Sequence, residues 1–300
     1  LGISSNLLLG YSINQWRGSE GERERIKEVS LNENNRPKWQ MDDFNKDIFR
    51  IFVKEFNRIF PYKNLFIFEM KKHDIFFVLI LLALFLPVMM IPSLYQGYEQ
   101  FNKEHGMIMS FLKFAILATM GEALGLRIRT GVYNQPGFGL IPRALVWGFL
   151  GLTIKMAFAI FTKGTPAFLA YLGLDWAPES IAGQLSLQKV FVAFCISSAM
   201  NLIYAPVMMT LHKMTDTHII NNHGTLSGLF KPFKGGDIIS QINWRVQWDF
   251  VFCKTIPLFW IPAHTLTFLL PEQFQVLFAA ILGIALGVIL ATASLKGKKQ

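Results

Sequence analysis

The chain has 300 residues, of which 52% are hydrophobic and only 16% charged, and its formal net charge is +9. Soluble domains carry about 25% charged residues, so this balance, with 28 Phe, excludes an ordinary soluble domain and indicates a membrane protein. Cys195 and Cys253 stand in apolar runs, far from any metal or redox spacing; they read as packing residues and say nothing about compartment.

Residues 1–69 hold 11 of the 29 basic and 10 of the 20 acidic residues, and the chain changes character at Met70. The stretch NQWRGSEGERERIKEVSLNENNRPKWQ has no apolar periodicity and reads as disordered. Met70 followed by Lys71 and Lys72 reads as a natural start, which makes 1–69 a polar extension and 70–300 the transmembrane helical domain. Within the extension, Phe44, Ile48, Ile51, Phe52 and Phe56 fit one face of an amphipathic surface helix between Asp42 and Pro61, the alternative being a sticky tail without that helix.

Six apolar runs follow: Ile75–Tyr95, Met107–Leu126, Leu140–Phe161, Leu187–Leu211, Phe250–Leu270 and Phe274–Ala293. Each is near the roughly 20 residues that span hydrocarbon. They lack the alternation of barrel strands, so the expected fold is an all-α, polytopic transmembrane bundle of about six spans with amphipathic interfacial helices. Lysine and arginine set the threading. With Lys71 and Lys72 in the cytoplasm, that side collects Arg127, Arg129, Arg143, Lys213, Lys231, Lys234, Arg245 and the C-terminal lysines, while the far side receives Lys103, Lys163 and Lys189. Both termini are then cytoplasmic, and the location is the cytoplasmic (inner) membrane.

Two loops carry their own pattern. TKGTPAFLAYLGLDWAPES reads as a short interfacial helix on the far side. In GGDIISQINWRVQWDF, Asp237 is placed to cap a helix with Ile239, Ile242 and Val246 on one face and Trp244 and Trp248 as interface anchors. The Gly pair lacks the Gly-Lys-Ser/Thr ending of a phosphate loop.

Lipid offers little hydrophobic drive for helix pairing, so small residues mark close approach. Ala279, Gly283, Gly287 and Ala291 recur every fourth position in the last run, and Gly121 and Gly125 do so in the second. The sequence leaves open whether the last helix pairs within the chain or with a second copy.

Charges inside spans cost about 2.5–3.5 kcal/mol at the membrane centre on insertion scales and are functional candidates by default. Lys113, Lys155 and Lys254 lie near span ends and are expected to snorkel. Glu122 lies deeper, beside the Gly121/Gly125 face, with Lys254 or Arg143 as its expected partner. Its role is either a structural ion pair or a charge lining a water-filled path, with His264 as a further polar candidate. His212, Asp216 and His223 would share a face only if the fourth helix ran on, and Asn221, Asn222 and Gly224 speak against that; no metal site is expected. Catalytic signatures are lacking, and the basic residues are spread over four segments, so neither an enzyme, a cofactor nor nucleic-acid binding is expected.

The segment PLFWIPAHTLTFLLP is built against the rules for a lipid-facing helix. Pro257 and Pro262 each remove a backbone donor, and Pro271 ends the span. A kinked helix buried in the bundle is expected, with Thr255, Thr265 or a neighbour satisfying the freed carbonyls. Trp260, Pro262, His264, Phe268 and Pro271 in WIPAHTLTFLLPEQFQVLF resemble the C-terminal signature of the twenty-two-kilodalton peroxisomal membrane protein (Mpv-seventeen) family. GEALGLRI, IPRALVWGFLG and GDIISQINWRVQW resemble other segments of that family, so the resemblance spans about residues 107–295. Ile261 separates Trp260 from Pro262, Thr267 stands where the family has Asn, and Gln275 stands where it has Arg. The family is usually drawn with four spans. The resemblance implies an organelle or bacterial inner-membrane protein of a kind proposed to form channels, without enzyme activity or cofactor. The expectation is therefore a non-enzymatic channel or small-solute pore, the alternative being a membrane scaffold that binds partners or anionic lipid through basic loops.

Overall fold

A computed structural model describes residues 71–297, with side chains described as far as Val288 except that of Met89, and these residues belong to one unit, Ile67–Gln300. The amphipathic helix expected near Phe44–Phe56 lies outside the described residues, as does the side chain of Ala291. Every regular element among the described residues is helical.

Helix α1, Lys72–Met90, stops where the sequence predicts an uninterrupted span to Tyr95. A residue before proline is driven out of the helical region by the proline ring, and Ile91, preceding Pro92, is extended at φ −105° and ψ 106°. Helix α2, Pro92–Glu104, leaves at 89° to α1. The expected Ile75–Tyr95 span is therefore a bent pair.

Helices α3 (Gly106–Thr130), α4 (Leu140–Tyr171) and α6 (Leu187–Asn221) are each long and apolar enough to cross a membrane, and counting the bent pair as one span makes four. Their outer faces stay apolar: Phe149, Phe168, Leu202 and Ile203 are 58–66% exposed. Helices apolar around their whole circumference suit a hydrocarbon surround, not water. Gly131, in the left-handed region at φ 86°, ends α3 by donating to the Arg127 carbonyl.

Helix α4 does not stop at Phe161. It runs on through Pro166 to Tyr171, so that of the short helix expected in that loop only α5, Ala177–Ala182, stands apart from α4. Likewise α6 continues past Leu211 to Asn221, because Asn221, Asn222 and His223 form its last turn and cap rather than an early break. After α7 (Leu226–Leu229) comes α8, Gly235–Gln241. Asp237 sits inside its first turn rather than capping it, since the helix starts at the first glycine. Ile238 and Ile242 are buried against Met214, whereas Ile239 and Val246 are exposed, so the expected single face is not formed.

Past α9 (Trp244–Val246), a π-helical stretch covers Gln247–Trp260 and passes directly into α10, Ile261–Leu269. A wider turn is one way a helix absorbs a lost donor, and the stretch contains Pro257. The Thr255 hydroxyl donates to the Phe250 carbonyl, and the Ile261 carbonyl accepts from both Thr265 and Ser197 of α6, each at 2.7 Å. Pro257, Pro262 and Pro271 are exposed, while Ala263, His264, Thr267 and Phe268 are buried. The π-helical stretch and α10 thus expose these prolines and bury His264 and its neighbours, and the two run on continuously.

Helix α11, Glu272–Gly297, returns along α3. A Cβ on Gly121 would lie 3.0 Å from the Ile284 Cα, and one on Gly287 would lie 3.3 Å from the Gly121 carbonyl. The small residues of the two helices therefore meet within the chain. The core joins Phe114, Leu117, Ile154, Phe158, Val192 and Ile196 with Ala279 and Ala280 of α11.

Candidate functional site: a polar cluster in an interhelical cavity

Glu122 lies on α3 next to Gly121, which packs on α11, and its side chain is mostly buried. Its carboxylate is shared by three donors. Arg143, from the first turn of α4, pairs with one oxygen. The Trp147 indole N–H, one helical turn on, donates to the other at 2.9 Å, and His212 Nε2 of α6 lies 2.9 Å from that same oxygen. Residues i and i+4 share a helix face, and that is why Arg143 and Trp147 converge. His212 also packs on the Trp147 ring at 4.3 Å between centroids.

Arg143 is the hub. Besides Glu122 it forms an ion pair with Asp216 on α6, donates through Nε to the Phe138 carbonyl at 2.7 Å, and lies over the Phe138 ring. Asp216, one turn beyond His212, reaches Lys213 at 3.6 Å. The group sets two carboxylates, Glu122 and Asp216, against the Arg143 guanidinium, with Lys213 at its partly exposed edge.

Of the two expected partners of Glu122, Arg143 is present. Lys254 is exposed and stands outside the cluster; it projects away from the interior. Lys113 is buried rather than snorkelling, donating to Asn102 of α2 at 2.5 Å, and Lys155 reaches Glu272 at 3.3 Å. Asn201 is buried and its amide donates to the Ser197 carbonyl.

The cluster lines a cavity of about 670 Å³ between α3, α4, α6, the π-helical stretch and α11. Its rim includes Arg129, Thr130 and Gln135, all exposed, and its inner part includes Met200, Trp260 and His264. His264 is buried, stacked on Trp260 at 5.1 Å and edge-on to Phe158 at 5.7 Å, and its Nδ1 is 3.4 Å from the Thr267 hydroxyl. Ala279, Gly283 and Gly287 line the cavity too, and no atom lies within 4 Å of a Cβ placed on Gly283. The small residues of α11 therefore serve two ends, close contact at Gly287 and open space at Gly283.

His212, Asp216 and Trp147 are cavity residues that sequence reasoning did not assign. The signal available was the i, i+4 spacing of His212 and Asp216, set aside because α6 was expected to end early. A second cluster was also unassigned. Arg127 grips Asp74 at the start of α1 with two hydrogen bonds of 2.8 and 2.6 Å, and the Tyr133 hydroxyl donates to the same carboxylate at 2.9 Å. Among the described residues, no group of three or more His, Cys, Asp or Glu side chains is placed to hold a metal ion. Comparison with protein-family models, with curated proteins and with solved structures finds no match.

Proposed function

We propose that this chain is an integral membrane protein that crosses the bilayer six times and works as a channel or small-solute pore, without catalytic activity and without a cofactor. The crossings are the bent pair α1–α2, then α3, α4, α6, the π-helical stretch with α10, and α11. The observation that carries this reading is the cavity, which runs from an exposed rim at Arg129 and Gln135 to His264 among the buried helices and has a charged cluster on its wall. Intramembrane charges that face a cavity mark solute paths. The positive-inside bias supports a cytoplasmic (inner) membrane with both ends cytoplasmic, and the resemblance to the Mpv-seventeen family points the same way. Reconstituted vesicles test the reading. Glycerol, small sugars and small ions should pass faster than through protein-free vesicles, and Glu122→Gln should alter that rate. Passage equal to the protein-free control for all of them would refute it.

A scaffold is the second reading, favoured by the exposed Phe230, Phe233, Trp244 and Trp248, which alternate with Lys231, Lys234 and Arg245. Vesicles with and without anionic lipid, offered to a peptide spanning 226–249, discriminate this reading from the pore.

A further inference from the structure

The cavity walls are unequal in what they leave unspent. Both wall carboxylates are ion-paired: Glu122 with Arg143, while Trp147 and His212 lie at its other oxygen, and Asp216 with Arg143 and Lys213, its Oδ1 accepting no hydrogen bond among the described residues. Arg129, at the rim, is exposed and forms no ion pair among the described residues. Lys213 keeps its side chain 46% exposed and lies only at the edge of hydrogen-bonding reach of Asp216. Two further wall residues, Gln247 and Trp260, carry buried side-chain N–H groups without a partner among the described residues. Unspent cations and donors thus stand where an anion or an acceptor oxygen would complete them. The rest of the lining is apolar and adaptable, with Phe114, Ile154 and Phe158 facing Met200, Met208 and Met209. A cavity of this size lies within the range of small-molecule sites, which combine apolar walls with a few polar groups that fix orientation.

We propose that the cavity binds a single-chain amphiphile with an anionic head, its aliphatic tail lying along the Met200–Phe158 wall and its head at the rim between Arg129 and Lys213. Binding rests on the membrane reading above but not on conduction, and it holds whether or not anything passes. The head is a carboxylate or a phosphate, since both complete a guanidinium and an ammonium in the same way.

The test uses the full chain in nanodiscs, incubated with palmitate, lysophosphatidate, monopalmitoylglycerol or hexadecyltrimethylammonium, with retained ligand measured by native mass spectrometry. One anion or both should be retained, about tenfold tighter than the neutral and cationic chains, and the mass identifies which head is taken. Arg129→Gln with Lys213→Gln should remove that preference while leaving retention of monopalmitoylglycerol unchanged. Gly283→Leu, whose Cβ enters open space and whose branch extends from it into the cavity, should abolish retention of all four. Equal retention across head charges, or a preference indifferent to Arg129→Gln/Lys213→Gln, overturns the proposal, as does retention unaffected by Gly283→Leu. Failure of the chain to incorporate into nanodiscs overturns the membrane reading and this proposal with it.

Discussion

Arg143 shows how a single side chain organises the interior. A guanidinium has five donors in a rigid fork, and here it spans Glu122 on α3, Asp216 on α6 and the Phe138 carbonyl at the entry to its own helix. Removing one partner of a buried ion group costs about 3–5 kcal/mol, because the other charges are left uncompensated. Arg143→Met leaves two carboxylates facing each other and should lower stability by about that much in thermal unfolding of the detergent-solubilised chain. Lys254→Met, at an exposed position, should change it by no more than about 0.5 kcal/mol. Tyr133, in the loop after α3, makes a separate prediction. Burial, and next its hydrogen bond to Asp74, raise the phenol from 10.0 to about 12. A phenol raised in the folded state contributes fully below its unfolded value, and the contribution fades as pH climbs through the folded one. Stability should therefore fall between pH 10.0 and about 12, and the fall should be shallower in Tyr133→Phe when denaturation is followed at each pH. Equal slopes would remove the Tyr133–Asp74 contact from the account.

Among the elements, α11 depends on where its neighbour lacks side chains. At Gly121 of α3 a methyl would press on the Ile284 backbone at 3.0 Å, and a backbone atom gives way only if the helix moves. Overpacking of this kind costs about 1–3 kcal/mol, so Gly121→Ala should lower the unfolding temperature. Gly283→Ala meets nothing within 4 Å and exchanges a poor helix former for the best one; it should be neutral or stabilise by up to about 1 kcal/mol. Parallel melts of the two variants check the contrast, and equal losses would show that α11 does not pack on α3 at Gly121. The bent pair and the π-helical stretch illustrate a different control. Pro92 breaks α1 from α2 at Ile91, whereas Pro257 lies within a continuous helix of wider turns. Pro92 stands at the first position of α2, where a missing N–H costs nothing, whereas Pro257, like Pro166 and Pro206, lies inside a helix that continues through it.

Across the molecule, the polar contacts sort by end. Asp74–Arg127, Arg143–Glu122 and Arg143–Asp216 join the start of α1, the end of α3, the start of α4 and the second half of α6. Lys113–Asn102 joins the first half of α3 to the end of α2, and Lys155–Glu272 joins the middle of α4 to the start of α11. The start of α1 therefore lies at the same end as the basic loops. In reconstituted vesicles, cysteines placed at Lys72 and Lys234 should react with an impermeant reagent from one side and a cysteine at Glu179 from the other. Reaction of the Lys72 and Glu179 sites from a shared side would overturn the threading.

The sequence by itself determined the class of structure. Its apolar runs are too long and too unbroken for anything but helices, and the starts of α3, α4 and α6 follow from them within a residue or so. It also marked Glu122 as the intramembrane charge that needs a partner and narrowed that partner to Lys254 or Arg143, since an uncompensated carboxylate in hydrocarbon is costly. The tertiary structure decided between the two, by turning the first face of α4 toward α3 while Lys254 points outward. It also added His212 and Asp216, because only the packing of α6 beside α4 brings residues 90 and 94 positions from Glu122 in the chain to the same cavity. Composition and spacing are local and survive in one dimension, whereas a cavity is a property of which helix faces meet, and that is set by packing among elements far apart in sequence.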